Sequence, residues 1–153
     1  MRRKEPELHA RARHFCLPHD YLNLWLTGEF SSGPGDASGT AYFNVQTRSY
    51  SETVLRTLDA DRDWEHSLPA ISPSLSLIAG LRREGAESLG TPRRIPVSAG
   101  GGDNMYAAIG AGAVVPGPVI VRLGTSGTVF SFTTGPAIDP TGEAAAFCSS
   151  TDG

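Results

Sequence analysis

VSAGGGDNMYAAIGAGA, residues 97–113, sets three glycines ahead of a lone carboxylate and then a run of small residues. The preceding IPVSA reads as a strand that runs straight into the glycines, and the residues after them read as a helix. Asp103 and Asn104 therefore fall at a strand-to-helix turn, near a helix N-terminus. An Asp in that place is commonly a cap. Capping needs one good acceptor, however, whereas three glycines cost chain entropy and point to something that must fit close to the backbone.

A second feature lies downstream. VIVRL and TVFSFTT are β-rich runs separated by GTSG, which predicts a hairpin or tight bend at residues 124–127. Its backbone N–H groups and the Thr125 hydroxyl carry little steric cover, which suits a phosphate; an ordinary hairpin turn has the same composition.

Upstream of the glycines the pattern is mainly helical. EPELHARARHFC, residues 5–16, places Leu8, Ala12 and Phe15 on one stripe. LPHDYLNLWLTGE follows with Pro18 in a first turn, Asp20 near the positive end of the dipole and Gly28 as C-terminal residue. Tyr21, Leu22, Leu24, Trp25 and Leu26 are expected to form its buried wall. SSGPGDASG, residues 31–39, predicts a loop or short capped turn. Ser51 can cap a helix through Leu58. LPAISPSLSLIAGL contains Pro69 and Pro73 and predicts short edge strands at most. A helix from Arg82 to Leu89 should stop at Gly90.

Composition narrows the function classes. Of 153 residues 39% are apolar and 19% charged, as in a folded globular chain. A net charge of -3 gives no electrostatic ground for a nucleic acid or an anionic membrane as partner. Arg2, Arg3, Lys4, Arg11 and Arg13 make the N-terminus basic, but Glu5 and Glu7 interrupt them, so a solvated helix face is expected rather than a transit peptide. Pro116 and Pro118 break the apolar AVVPGPVIV, and no run reaches the roughly 20 residues of a bilayer span. Cys16 and Cys148 match no metal or redox spacing, and reduced, buried thiols of a cytoplasmic protein are expected.

Three other signatures fail on chemistry. Gly112 and Gly117 have phosphate-loop spacing, but Pro118 stands where a lysine is needed, and GAGAVVPG lacks the dinucleotide spacing. His9, His14, Cys16 and His19 do not have helical spacing for one ion, so no metal site is expected. GTSG is one residue short of a nucleophile elbow around Ser126.

Taken together, LPHDYLNLWLTGE, GDASGTAYFNVQTRSYS, VSAGGGDNMYAAIGAG with VVPG, and VRLGTSGTVF with DPTGEAAAFCSST resemble the FGGY family of carbohydrate kinases, in the family's order and over nearly the whole chain. The resemblance is greatest to its xylulose-phosphorylating members. It implies an α/β, actin-like or ribonuclease H-like ATPase fold, present in part. Residues 1–117 would be the later part of the N-terminal, sugar-binding domain and residues 118–153 the beginning of the C-terminal, nucleotide-binding domain.

By the same resemblance Asp103 is the catalytic base that takes the proton from a sugar hydroxyl as it attacks the γ-phosphoryl group of ATP. Asn104 and Gly102 bind the sugar, and Gly124, Thr125, Ser126 and Gly127 form a phosphate-binding motif. A carboxylate is a weak base, sufficient where proton loss accompanies attack. ATP with Mg²⁺ is the implied cofactor pair. The sugar and ATP are the implied partners, with neither nucleic acid nor membrane, and a homodimer is left open for the parent protein.

The family's first phosphate motif, its upstream sugar contacts and its adenosine-binding region have no counterpart. The chain is thus expected to be an internal slice, inactive alone. SPSLSLIAG lacks the family's Ser-Gly-Glu hairpin, and CSSTDG stands in place of CDSTGG. The alternative is a non-catalytic actin-like or sugar- or nucleotide-binding module, in which the turn binds nucleotide or nothing while the glycines merely permit close packing.

Overall fold

The computed structural model describes residues 2–124 and 127–152. The chain opens with helices α1 (Pro6–Arg11) and α2 (Pro18–Thr27), then strand β1 (Ser31–Ser32) and the single turn α3 (Pro34–Ala37). The hairpin β2 (Phe43–Asn44) and β3 (Ser49–Tyr50) leads to α4 (Glu52–Leu58) and α5 (Trp64–Ser67). Next come β4 (Ala70–Ile71), β5 (Leu77–Gly80), α6 (Arg83–Leu89), β6 (Pro96–Ser98) and α7 (Asp103–Gly110). The hairpin β7 (Val119–Leu123) and β8 (Gly127–Ser131) completes the order.

Sheet pairing is local except at one place. β1 pairs parallel with β4, Ser31 opposite Ala70, and so draws the glycine-rich segment after α2 into the interior. β5 pairs antiparallel with β6 in a register that places Leu77 opposite Ser98, next to the glycine turn. β7 and β8 pair antiparallel from Val119 opposite Ser131 to Leu123 opposite Gly127.

The core gathers where α2, α6 and β5 meet. Gly85 of α6 lies against the Leu26 carbonyl of α2, where a Cβ would stand 3.3 Å away, and Arg82 N–H donates to that oxygen at 2.9 Å. Leu68, Leu81, Ala86 and Ala99 are among the fully buried apolar side chains, so the interior is built largely of small and medium groups.

Several expectations hold in detail. Pro18 opens α2 and Gly28 closes it at φ 89°, a left-handed position that glycine adopts without strain. Ser51 caps α4 by accepting from Val54 N–H. Gly90 stops α6 at φ 63°.

Others are corrected. α1 stops at Arg11 because the Arg62 guanidinium binds its last carbonyls, donating to Ala12 O at 2.7 Å and His9 O at 2.6 Å. A cation at a helix C-terminus is favourable there. Leu8 is consequently half exposed, while Phe15 packs beyond the helix against His9 and Trp64. On α2 the aromatic and aliphatic wall is only partly inward: Tyr21 and Leu22 are exposed and the buried residues are Asp20 and Asn23. Cys16 is exposed, and only Cys148 is a buried thiol. Residues 31–39, expected as a loop or short capped turn, do hold the single turn α3, but residues 31–35 are buried, since serine and glycine fit a tight space and β1 pairs with β4.

Candidate active site

The glycine turn sits at the junction of three segments. Gly100 N–H donates to Ser74 O at 3.0 Å and Ala99 N–H to Ser76 O at 2.9 Å, which fixes the turn beside the loop before β5. Gly100 has φ 68°, so glycine is required there by conformation. It is required by space as well. A Cβ on Gly100 would lie 2.9 Å from His19 Nε2, one on Gly102 would lie 2.9 Å from Asp36 Oδ1, and one on Gly101 would overlap Ser150 Oγ. The close approach that the three glycines allow is therefore made by protein side chains. Ser150 also fills the space left by Gly35, so that one side chain is gripped between two glycines distant in sequence.

Behind the turn runs a polar network from the buried side of α2. Asn23 donates through Nδ2 to Ala99 O at 2.9 Å, which fixes its amide orientation, and the same nitrogen lies 3.3 Å from His19 Nε2. His19 Nδ1 faces two carboxylates, Asp36 Oδ2 at 3.5 Å and Asp20 Oδ1 at 3.7 Å. Asp20 Oδ2 accepts from Leu17 N–H at 2.9 Å, while its other oxygen has no hydrogen-bond partner and is buried.

Asp20 first and Asp36 second push the His19 ring up to about 9, against the opposing cost of burial. Asn23, as a donor, works against a second ring proton, but one long hydrogen bond is worth about 1 kcal/mol. Two carboxylates at these distances each contribute roughly 4 kcal/mol of attraction in a medium of intermediate dielectric. The protonated form of the ring is therefore favoured. Ligand atoms of His19, Asp20 and Asp36 all lie within 4.8 Å of one another, as a bound cation would need. A protonated ring carries a positive charge at the same place.

Asp103 begins α7 but does not cap it. Gly102 is the N-cap residue, in extended conformation, and no side chain caps the helix. Asp103 and Asn104 are exposed on its first turn. Arg122 of β7 donates through Nη1 to Asn104 Oδ1 at 2.8 Å. Leu123 and Gly127 pair at the close of the same hairpin, and Arg122, one residue before Leu123, ties β7 to the first turn of α7. Gly124 is exposed, and a Cβ on Gly127 would have only Arg122 O near it, at 3.9 Å. Thr125 and Ser126 lie outside the described residues. Of the residues singled out by sequence, Gly102, Asp103 and Asn104 thus stand together at the head of α7, and β7 is joined to them through Arg122. His19, Asn23 and Asp36 lie against the glycine turn; sequence reasoning considers His19 only as a metal ligand and does not single out Asn23 or Asp36.

The returning segment closes the arrangement. Asp152 accepts from Ser74 N–H at 2.8 Å and Leu75 N–H at 2.9 Å, and pairs with Arg48 at 3.4 Å. The departure CSSTDG thus carries its own anchor, with Asp152 at φ 61°.

The chain is similar to known proteins. Residues 1–110 match the family model described as the N-terminal domain of the FGGY family of carbohydrate kinases. A xylulose kinase of Haemophilus influenzae is 40% identical over 99% of this chain, which covers 31% of that protein. The crystal structure of a xyloylose kinase from Brucella ovis superposes with a TM-score of 0.88 at 34% identity, over 97% of this chain and 30% of that one. A ligand-bound xylulose kinase from Lactobacillus acidophilus gives 0.82 at 25% identity, over 90% of this chain and 28% of that one. The chain spans about a third of the length of such relatives. Its mixed α/β architecture is part of the actin-like ATPase fold of these kinases. No described helix is long and apolar enough to cross a membrane. The chain belongs to the FGGY family of carbohydrate kinases.

Proposed function

We propose that the protein carrying this chain is an ATP- and Mg²⁺-dependent cytoplasmic kinase that phosphorylates D-xylulose. Asp103 is its base, Asn104 and the backbone at Gly102 hold the sugar, and the turn 124–127 receives the phosphates. The observation that supports this reading is the Arg122–Asn104 hydrogen bond at 2.8 Å, which ties β7 to the helix turn on which the Asp103 carboxylate is exposed. The names of the relatives cited above point to xylulose.

Phosphoryl transfer calls chiefly for positioning and charge stabilisation. Asp103 would take the proton of the attacking hydroxyl. Asn104 Oδ1 is occupied by Arg122, so its Nδ2 is left to donate to a sugar oxygen. The hairpin tip offers backbone donors with no side chain at Gly124 or Gly127. Asp103 is kept as the base, and Mg²⁺ would come with the phosphates of ATP rather than on a residue of this chain. When bound, the ion would neutralise charge developing on the phosphates. Residues 1–117 would belong to the sugar-binding domain and 118–153 to the nucleotide-binding one, and the 153-residue chain alone is expected to be inactive.

Sugar-dependent ADP release by the full-length protein tests the reading. Asp103→Asn should lower kcat by about 10²–10⁴-fold, the range of general base catalysis, and leave KM for the sugar within a few-fold. No turnover of any ketose by the wild type, or full turnover by the variant, would overturn it. A second reading, a non-catalytic module, is favoured by one observation, that the bare faces of the glycines meet His19, Asp36 and Ser150. Calorimetry separates the two: a packing module binds neither ATP nor sugar.

A further inference from the structure

α2 buries two polar residues, Asp20 at 1% and Asn23 at 6% exposure, while Tyr21 and Leu22 between them face solvent. Burying polar groups in place of apolar ones gives up hydrophobic stabilisation and needs a compensating use. The contacts of these groups show where that use lies. Asn23 holds Ala99 O at 2.9 Å, His19 touches the bare face of Gly100, and Asp36 touches that of Gly102. Each residue from 99 to 102, except Gly101 against Ser150, meets a member of this one network. Asp103 is the next residue, and no side chain caps the helix it begins. Its position is therefore set by the turn before it.

We propose that His19 is a positioning residue for the phosphoryl transfer: seated between the carboxylates of Asp20 and Asp36, it holds the Gly100–Gly102 turn and so fixes Asp103. The role needs a positive charge at this point. Without it two carboxylates face each other across the space behind the turn, Asp36 turns away, and Gly102 loses its neighbour. His19 and Asp36 touch no reacting atom and act only through the backbone.

This inference rests on the kinase reading above. The test uses the full-length protein, with kcat and KM for D-xylulose measured for wild type, His19→Gln, His19→Lys and Asp36→Asn. His19→Gln removes the charge and should lower kcat at least tenfold, with a smaller rise in KM because Gly102 and Asn104 move with the turn. His19→Lys restores a cation between the carboxylates and should recover most of the lost kcat. Asp36→Asn should lower kcat in the same manner, and combined with His19→Gln should add little further loss.

Full activity of His19→Gln, or equal damage in His19→Lys and His19→Gln, would overturn the proposal. If His19→Gln does not fold, Asp36→Asn, which preserves size and shape, decides the matter: unchanged kcat overturns the proposal and a selective fall in kcat supports it. A wild type without sugar-dependent turnover would instead sink the kinase reading, and the two failures are distinct.

Discussion

Arg122 Nη1 donates to Asn104 Oδ1 at 2.8 Å and so ties the hairpin β7–β8 to the first turn of α7. The two residues are exposed, and an exposed charged contact is worth about 0.2–1 kcal/mol. Arg122→Leu should therefore raise KM for the sugar about two- to fivefold in the full-length kinase, with kcat less affected. The loss acts through Asn104, whose amide is no longer oriented. Steady-state kinetics check this, and a rise in KM for ATP alone would place Arg122 on the nucleotide instead.

Ser150 fills the gap between Gly35 and Gly101. Gly101→Ala forces a methyl group into that hydroxyl, and overpacking of this kind costs about 1–3 kcal/mol. For a chain of this size the melting temperature should fall by about 3–10 °C. Combining it with Ser150→Gly removes the obstructing atoms and should recover most of the loss. Circular dichroism melts of the two single variants and the double variant measure it. Additive losses would mean that the added methyl group strains something other than Ser150.

His19 gives the fold a dependence on pH. Its folded value, about 9, lies above the ordinary 6.5 because of Asp20 and then Asp36. A raised value for a cationic group means that its stabilisation is complete below 6.5 and disappears as pH rises through 9. The facing titratable groups are Asp20 on its own helix and Asp36 on α3, with the Tyr106 hydroxyl of α7 across Gly100. Urea midpoints should fall between pH 6.5 and 9, and the fall should vanish in His19→Gln. The same slope in that variant would assign it to another group.

Asp152 holds two backbone N–H groups, at Ser74 and Leu75, with two different oxygens. Asp152→Asn keeps size and tolerates the left-handed φ, but turns one acceptor into a donor facing a donor. Leaving one such group unsatisfied costs about 1–3 kcal/mol. A lowered melting temperature with an unchanged far-ultraviolet spectrum is the expected result.

Much of the local structure is legible in residue types whose effect is local. Pro18 and Gly28 delimit α2, Ser51 and Gly90 mark their helices, and the hairpin around GTSG follows from its flanking β-branched residues. The placing of Asp103, Asn104 and the turn comes from the family resemblance, because proximity across 22 residues has no local signal. The inward face of α2 departs from the sequence reading for a physical reason. Apolar periodicity assigns Tyr21 and Leu22 inward, but Asp20 and Asn23, spaced three apart, share the opposite stripe and are held there by His19 and Ala99. An acid and an amide at that spacing directly after a histidine is the available hint. Residues 31–35 read as a loop or short turn because small polar residues favour these; their burial depends on pairing with Ala70 and Ile71, far along the chain.

The slot that Ser150 occupies exists only once residues 31–38 and 99–103 stand side by side. Residues 148–152 can therefore dock only after those walls are assembled, and they should lose their contacts before the walls themselves come apart. In hydrogen exchange the amides from Cys148 to Asp152 would lose protection ahead of those in α2 and α6, opening the back of the glycine turn while the remainder stays folded.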